Sequence, residues 1–197
     1  LERTKENIDK ERSLTGGSLI KLKRVKNRWK FFANDQHNKA VRADTMMRFA
    51  NGHKVFGSNE VDGTCANCAG GKTPWGSFLS CEENYDMSYG ERDRKTGKIE
   101  KDPYMQWNKF YPHPPEHYGW VVEIDPFSGA AQKHINLGRF SHESATCVLS
   151  KQEKVVVYSG DDKKNEHLYK FVSESSQDFK KGILYVANLE KGKWLPL

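Results

Sequence analysis

An all-β fold is what this sequence predicts, and three observations carry the prediction. Short apolar runs alternate with turn residues, 16 Gly and 7 Pro being spread through the 197 residues. Aromatic side chains, which favour strands, make up 12% of the chain. No long stretch repeats its apolar residues at the helical interval. A hydrophobic content of 36% is enough for a core at this length.

Residues 1–13 (LERTKENIDKERS) are polar and charged and predict a short helix or a frayed end, leaving 14–197 as the folded domain. The stretch SLIKLKRVKNRWKF reads as a hairpin. Three segments place a glycine ahead of strand formers: Gly17 precedes SLIKL, Gly119 precedes WVVEI and Gly182 precedes ILYVA. Each is followed by a turn-like stretch, which suggests one supersecondary unit repeated with insertions. A propeller and a β-sandwich both fit that pattern. Further strands are expected at 54–57, 77–81, 146–149, 155–159 and 167–172. Residues 85–115, rich in charge, Gly, Tyr and Pro, read as one long loop, which in a compact domain is functional or disordered.

Charge and cysteine content narrow the classes. Lys and Arg exceed Asp and Glu by 32 to 26, a net charge of +6. The densest basic stretch is Lys21, Lys23, Arg24, Lys26, Arg28 and Lys30. An exposed edge commonly carries lysine, and no aromatic platform is interleaved with these cations as single-strand binders require, so a nucleic-acid surface ranks last. No apolar run reaches the roughly 18 residues that span a bilayer, and the charged first residues are not an export signal. Among the four cysteines, Cys65 and Cys68 form a CxxC. No second CxxC or paired His follows at zinc spacing, and a redox or disulfide pair stays open.

The chemistry-bearing residues fall at strand ends. In NCAGGKTPWGSFLSCEEN a Gly-Gly turn and a Thr-Pro-Trp-Gly corner lead into an apolar strand that ends in Cys81, Glu82 and Glu83. A thiolate and carboxylates can meet one metal if a bend brings diverging neighbours together. The plain alternative is a buried Cys81 with both acids in solvent. His142 and Glu143 follow a second strand and Asp161 and Asp162 a third. Adjacent acids repel unless a cation lies between them, which points to calcium, although an ordinary polar turn gives the same dipeptide. Gly70, Gly71, Lys72 and Thr73 lack the leading glycine of a phosphate loop. His53 and His113 read as turn residues.

Four motifs in order, NCAGGKTPWGSFLSCEEN, YGWVVEIDPFSG, LGRFSHESA and VVVYSGDDKKNEHLYKFVS, closely resemble the PhoX-type bacterial alkaline phosphatases over about residues 13–186. The resemblance implies part of a six-bladed β-propeller, exported to the periplasm or cell surface, that hydrolyses phosphate monoesters with ferric iron and calcium. It assigns Cys81 as a thiolate bridging two irons and Glu143 as an iron ligand, both catalytic. It assigns Asp162 and Asp161 to calcium, and Glu82 and Glu83 to the metals without deciding between them. Members are longer, so these residues would be about half of a ring whose remaining blades complete the site; Cys65 departs from the pattern. The alternative on the same scaffold is a non-catalytic calcium-binding or anionic-ligand-binding protein.

Overall fold

A computed structural model describes residues 2–99 and 103–197. The N-terminal segment is a helix, α1 (Lys5–Leu14), capped by Thr4, whose hydroxyl accepts from the Asn7 N–H. Ile8 and Arg12, one turn apart on one face, are buried; Arg12 donates to the Ala43 carbonyl at 2.8 Å and pairs with Asp62. The helix therefore shares a core with residues far along the chain.

Strand β1 (Gly16–Leu19) pairs antiparallel with β4 (Lys39–Arg42), and between them the chain runs out and back as β2 (Leu22–Val25) and β3 (Arg28–Phe31), the expected hairpin. Its two-residue turn places Lys26 and Asn27 at φ 47° and 61°, the left-handed pair whose twist matches that of a hairpin. The ribbon also carries Trp29 and Phe31 in the open among its cations, which corrects the expectation of no interleaved aromatics.

A six-stranded sheet follows. It is built from β5 (Met46–Phe49), β6 (Glu60–Asp62), β7 (Asn67–Lys72), β8 (Phe78–Glu82), β9 (Val121–Ile124) and β10 (Ala131–His134), in the order β6-β5-β10-β9-β8-β7. Only the β5–β10 pairing is parallel. The second sheet is a plain meander of β11 (Thr146–Leu149), β12 (Val155–Gly160), β13 (Leu168–Ser173), β14 (Gly182–Asn188) and β15 (Lys193–Pro196). The sheets meet where β7 runs beside β11. There a Cβ on Gly71 would sit 2.0 Å from the Ala145 carbonyl oxygen, so backbone touches backbone and no side chain fits between.

Several expectations change. The strand at 54–57 is a tight turn closed by a Val55–Ser58 bridge. Gly70 and Gly71 lie inside β7 rather than in a turn, whereas the Thr73–Ser77 corner forms as expected. The three glycine-led segments become an edge pair, an inner strand and a meander strand, so they are not one repeated unit. Much of 85–115 packs: it contains α2 (Asp86–Tyr89), Tyr89 stacks on Tyr118 at 4.0 Å, and Trp107 is buried, while 100–102 lie outside the described residues. The first core gathers Ile8, Phe49, Tyr89, Trp107 and Trp120. A second, under the other sheet, gathers Leu79, Cys81, Val157 and Phe171.

Glu123 on β9 ties the corner to β10. It accepts from Trp75 Nε1 at 2.6 Å and from the Ser77 hydroxyl, and its other oxygen meets His134 Nε2 at 2.7 Å. Burial opposes its ionisation, but these hydrogen bonds outweigh burial and hold its pKa at about 2 against an ordinary 4.5. Between those values the unfolded chain holds a proton that the folded chain lacks, so stability rises with pH across that window. A contribution of about 3 kcal/mol, complete above pH 4.5, should vanish as pH falls to 2. Glu123→Gln should flatten that acid limb in urea midpoints measured against pH; an unchanged limb would show that Glu123 does not cause it.

Candidate metal centre

The three acid clusters that are far apart in sequence meet at one end of the two sheets. Strand β8 delivers Cys81 and Glu82 and ends just before Glu83. The His142 N–H donates to the Glu82 carbonyl at 3.1 Å, and the Asp162 N–H donates to the Ser141 carbonyl at 3.0 Å. The Ser141 N–H in turn reaches Asp161 Oδ1 at 3.3 Å. Backbone hydrogen bonds therefore stitch the end of β8, the connection into the second sheet and the end of β12 together.

Glu82 turns away from that meeting point. Its Oε1 accepts from Lys133 Nζ at 2.7 Å, from the Thr64 hydroxyl at 2.8 Å and from the Cys65 N–H at 3.2 Å; Oε2 accepts from the N–H groups of Gly119 and Trp120 at 2.9 and 3.1 Å. A carboxylate offers about four lone-pair sites, so these five donors saturate it. This corrects the expectation that Glu82 is a metal ligand: it is a buried structural anchor. Lys133, equally buried, also donates to the His117 carbonyl and lies 4.3 Å from the Tyr118 ring centroid.

Glu83 takes the other direction. Its carboxyl faces that of Asp162 and the Cys68 thiol, and burial together with the Asp162 neighbour raises its pKa. Cys68 stands opposite Cys81 because the β7–β8 register shifts between Asn67 and Gly70. The Ala69 N–H holds the Cys68 thiol down, but burial and the carboxylates of Glu83 and Glu143 raise it overall. Burial, aided by Cys68 and Glu82, pushes the buried Cys81 thiol up to about 12. Asp161 is likewise raised, chiefly by burial. His142 is no donor to this group: its Nε2–H donates to the Gly138 carbonyl at 3.0 Å, its Nδ1 accepts from Ser159 Oγ at 2.8 Å, and burial lowers its pKa to about 4.

Two acids face each other and a thiol sits beside more acids, and the net shifts of Glu83, Cys68, Cys81 and Asp161 all oppose ionisation, with Lys163 offsetting that of Asp161 only in part. Asn67 Oδ1 and Ser141 Oγ, both buried, have no hydrogen-bond partner among the described residues. The donor types fit iron and calcium: thiolate with carboxylate for the first, oxygen alone for the second. Among the described residues, no three His, Cys, Asp or Glu side chains already enclose a single ion. Positive charge lines the rim: Arg139, anchored by Glu91 and by the Tyr118 and Pro115 carbonyls, and Lys163 both lie over the Tyr85 ring.

Sequence reasoning named Cys81, Glu83, Glu143, Asp161 and Asp162 as candidates, and the fold brings the segments carrying them together. It missed Cys68 and Lys133. Cys68 was visible only as half of a CxxC, yet Cys65 is buried in the first core, and all four cysteines are free thiols. Lys133 had no signal at all, since a lysine in a short strand reads as exposed.

The alkaline phosphatase PhoX family profile matches residues 1–197. No curated protein matches. Among solved structures, Pseudomonas fluorescens PhoX in complex with vanadate, a transition state analogue, is similar at 31% identity and TM-score 0.79, covering 98% of this chain and 42% of that one. The chain thus spans less than half of that relative, and its two open sheets are part of a β-propeller. Among the described residues no helix is long and apolar enough to cross a membrane. Matched from end to end by the family profile and nearly end to end by a solved member, the chain belongs to the PhoX alkaline phosphatase family.

Proposed function

We propose that this chain is the part of an exported phosphate monoester hydrolase that carries much of an iron and calcium site. The observation that supports the reading is the convergence, at one end of two sheets, of the segments that carry Cys81, Glu83, Glu143, Asp161 and Asp162, with the Glu83 and Asp162 carboxyls face to face. The similar Pseudomonas protein holds vanadate, whose geometry imitates a transferring phosphoryl group; by analogy the same chemistry is assigned here.

The residues would divide the work. Cys81 and Glu143 would hold iron, Asp162 and Asp161 would serve calcium, and Glu83 rather than the saturated Glu82 would be the member of the adjacent pair available to the ions. When bound, the ions neutralise negative charge that develops on a transferring phosphoryl group. Burial of Cys81 keeps water from the thiol, and its high pKa means that it ionises only with positive charge beside it. Glu82 and Lys133 hold the end of β8 in register. Lys163, over the Tyr85 ring and near Asp161, would supply positive charge toward a phosphate dianion. The remaining blades of the full-length protein complete the site.

The test is hydrolysis of p-nitrophenyl phosphate by the full-length protein, with iron and calcium measured by mass spectrometry. Turnover that falls with calcium chelation and returns on re-addition is expected. Full loading of both metals without turnover would overturn the reading and leave a binding protein on this scaffold.

A further inference from the structure

The β2–β3 ribbon stands largely in solvent, with Trp29, Phe31 and Leu22 exposed. Its base is pinned: Asn38 Oδ1 accepts from the Lys21 N–H at 2.7 Å, and Asn38 Nδ2 donates to the Phe32 and Ala33 carbonyls. Its turn is tight and its four-residue strands are paired throughout, so it is a stiff ribbon rather than a loose loop.

Opposed residues in an antiparallel pair share a face, and faces alternate along each strand. The register sets Leu22 against Phe31 and Arg24 against Trp29 on one face, and Lys23 against Lys30 and Val25 against Arg28 on the other. The first face is largely apolar yet open to solvent, with Trp29 69% and Phe31 56% exposed. It looks onto a cleft of about 430 Å³ whose far wall adds Phe127, 75% exposed. Six cations lie between Lys21 and Lys30, and no acid occurs between residues 12 and 34.

We propose that this ribbon is a docking surface for an anionic lipid bilayer, its aromatic face lying in the headgroup region. Tryptophan and phenylalanine favour that boundary, and long Lys and Arg side chains on the opposite face reach back to acidic headgroups along their apolar stems. The charge complementarity is one-sided, six cations without an acid. Single-stranded nucleic acid fits less well. Bases stacked on Trp29 and Phe31 would leave the exposed Leu22 and Phe127 of the same cleft in water, whereas the boundary of a bilayer covers them.

The experiment is flotation of the full-length protein with vesicles of phosphatidylglycerol and phosphatidylcholine, against vesicles of phosphatidylcholine alone. Binding to the anionic vesicles only, weakening with salt, is expected. The double variant Lys23→Glu, Lys30→Glu should bind about 100-fold less tightly or worse, since each surface cation contributes severalfold. Trp29→Ala should lower binding several-fold and leave p-nitrophenyl phosphate hydrolysis unchanged, which confirms a folded protein. The proposal is overturned by absence of vesicle binding, as when another part of the full-length chain or a second copy covers the ribbon. It is equally overturned by binding that ignores both variants, or by a single-stranded oligonucleotide that binds more tightly and loses affinity with Trp29→Ala.

Discussion

Cys81→Ala in the full-length protein is expected to lose its iron and to lower phosphatase turnover on the order of a thousandfold, the scale on which removing a principal charge-stabilising group acts. Cys81 is fully buried between Leu79, Val121 and Ala145, and its thiol is held near pKa 12 in the absence of positive charge. A group so placed contributes as a thiol only to packing, where alanine removes a single sulfur at a cost of about 1–2 kcal/mol. The sheets should therefore survive, giving an unchanged near-ultraviolet circular dichroism spectrum beside a collapsed kcat and an iron content near zero. Iron retained at the wild-type level would remove Cys81 from the ligand set.

The second large effect concerns stability. Lys133→Met should cost about 3–5 kcal/mol, because it leaves the Glu82 carboxylate buried without its counter-charge. Glu82→Ala should cost at least as much, since it strands the Lys133 ammonium and leaves the Thr64 hydroxyl and the Cys65, Gly119 and Trp120 N–H groups without their acceptor. Urea midpoints of the two single variants and of Lys133→Met with Glu82→Gln test this. The double variant should recover part of the loss, because a neutral amide keeps an acceptor for the backbone. A Lys133→Met midpoint equal to wild type would show that the pair contributes nothing.

What the sequence made visible follows from period and chemistry. Strands β11, β12 and β13 were legible because apolar and β-branched residues cluster there between clear turns. Strands β4, β5, β6 and β10 were not: each has only three or four residues and carries charge, so neither alternation nor hydrophobicity marks it. At the site, acids just after apolar runs announced themselves. Glu82 and Glu83 read alike in sequence, and only the register of β8 sends one into the core and the other to Asp162. Lys133 was hidden for a related reason, as its partner lies across the fold rather than along the strand. The Cys65–Cys68 spacing left a local pair open, whereas the register shift in β7 sets Cys68 opposite Cys81 instead. The ribbon was legible as a hairpin, but the division of its rings and cations between two faces required the pairing register.

The contact of Gly71 with the Ala145 carbonyl has a mechanical meaning. Cys81 and Glu83 sit on one side of that join, and Glu143, Asp161 and Asp162 lie beyond it. The facing carboxyls of Glu83 and Asp162 lie across that join, while Leu79 and Cys81 of one sheet pack with Val157 and Phe171 of the other in a shared core. On the function proposed above, an ion held by both carboxyls would add a second clasp between the sheets beside that core.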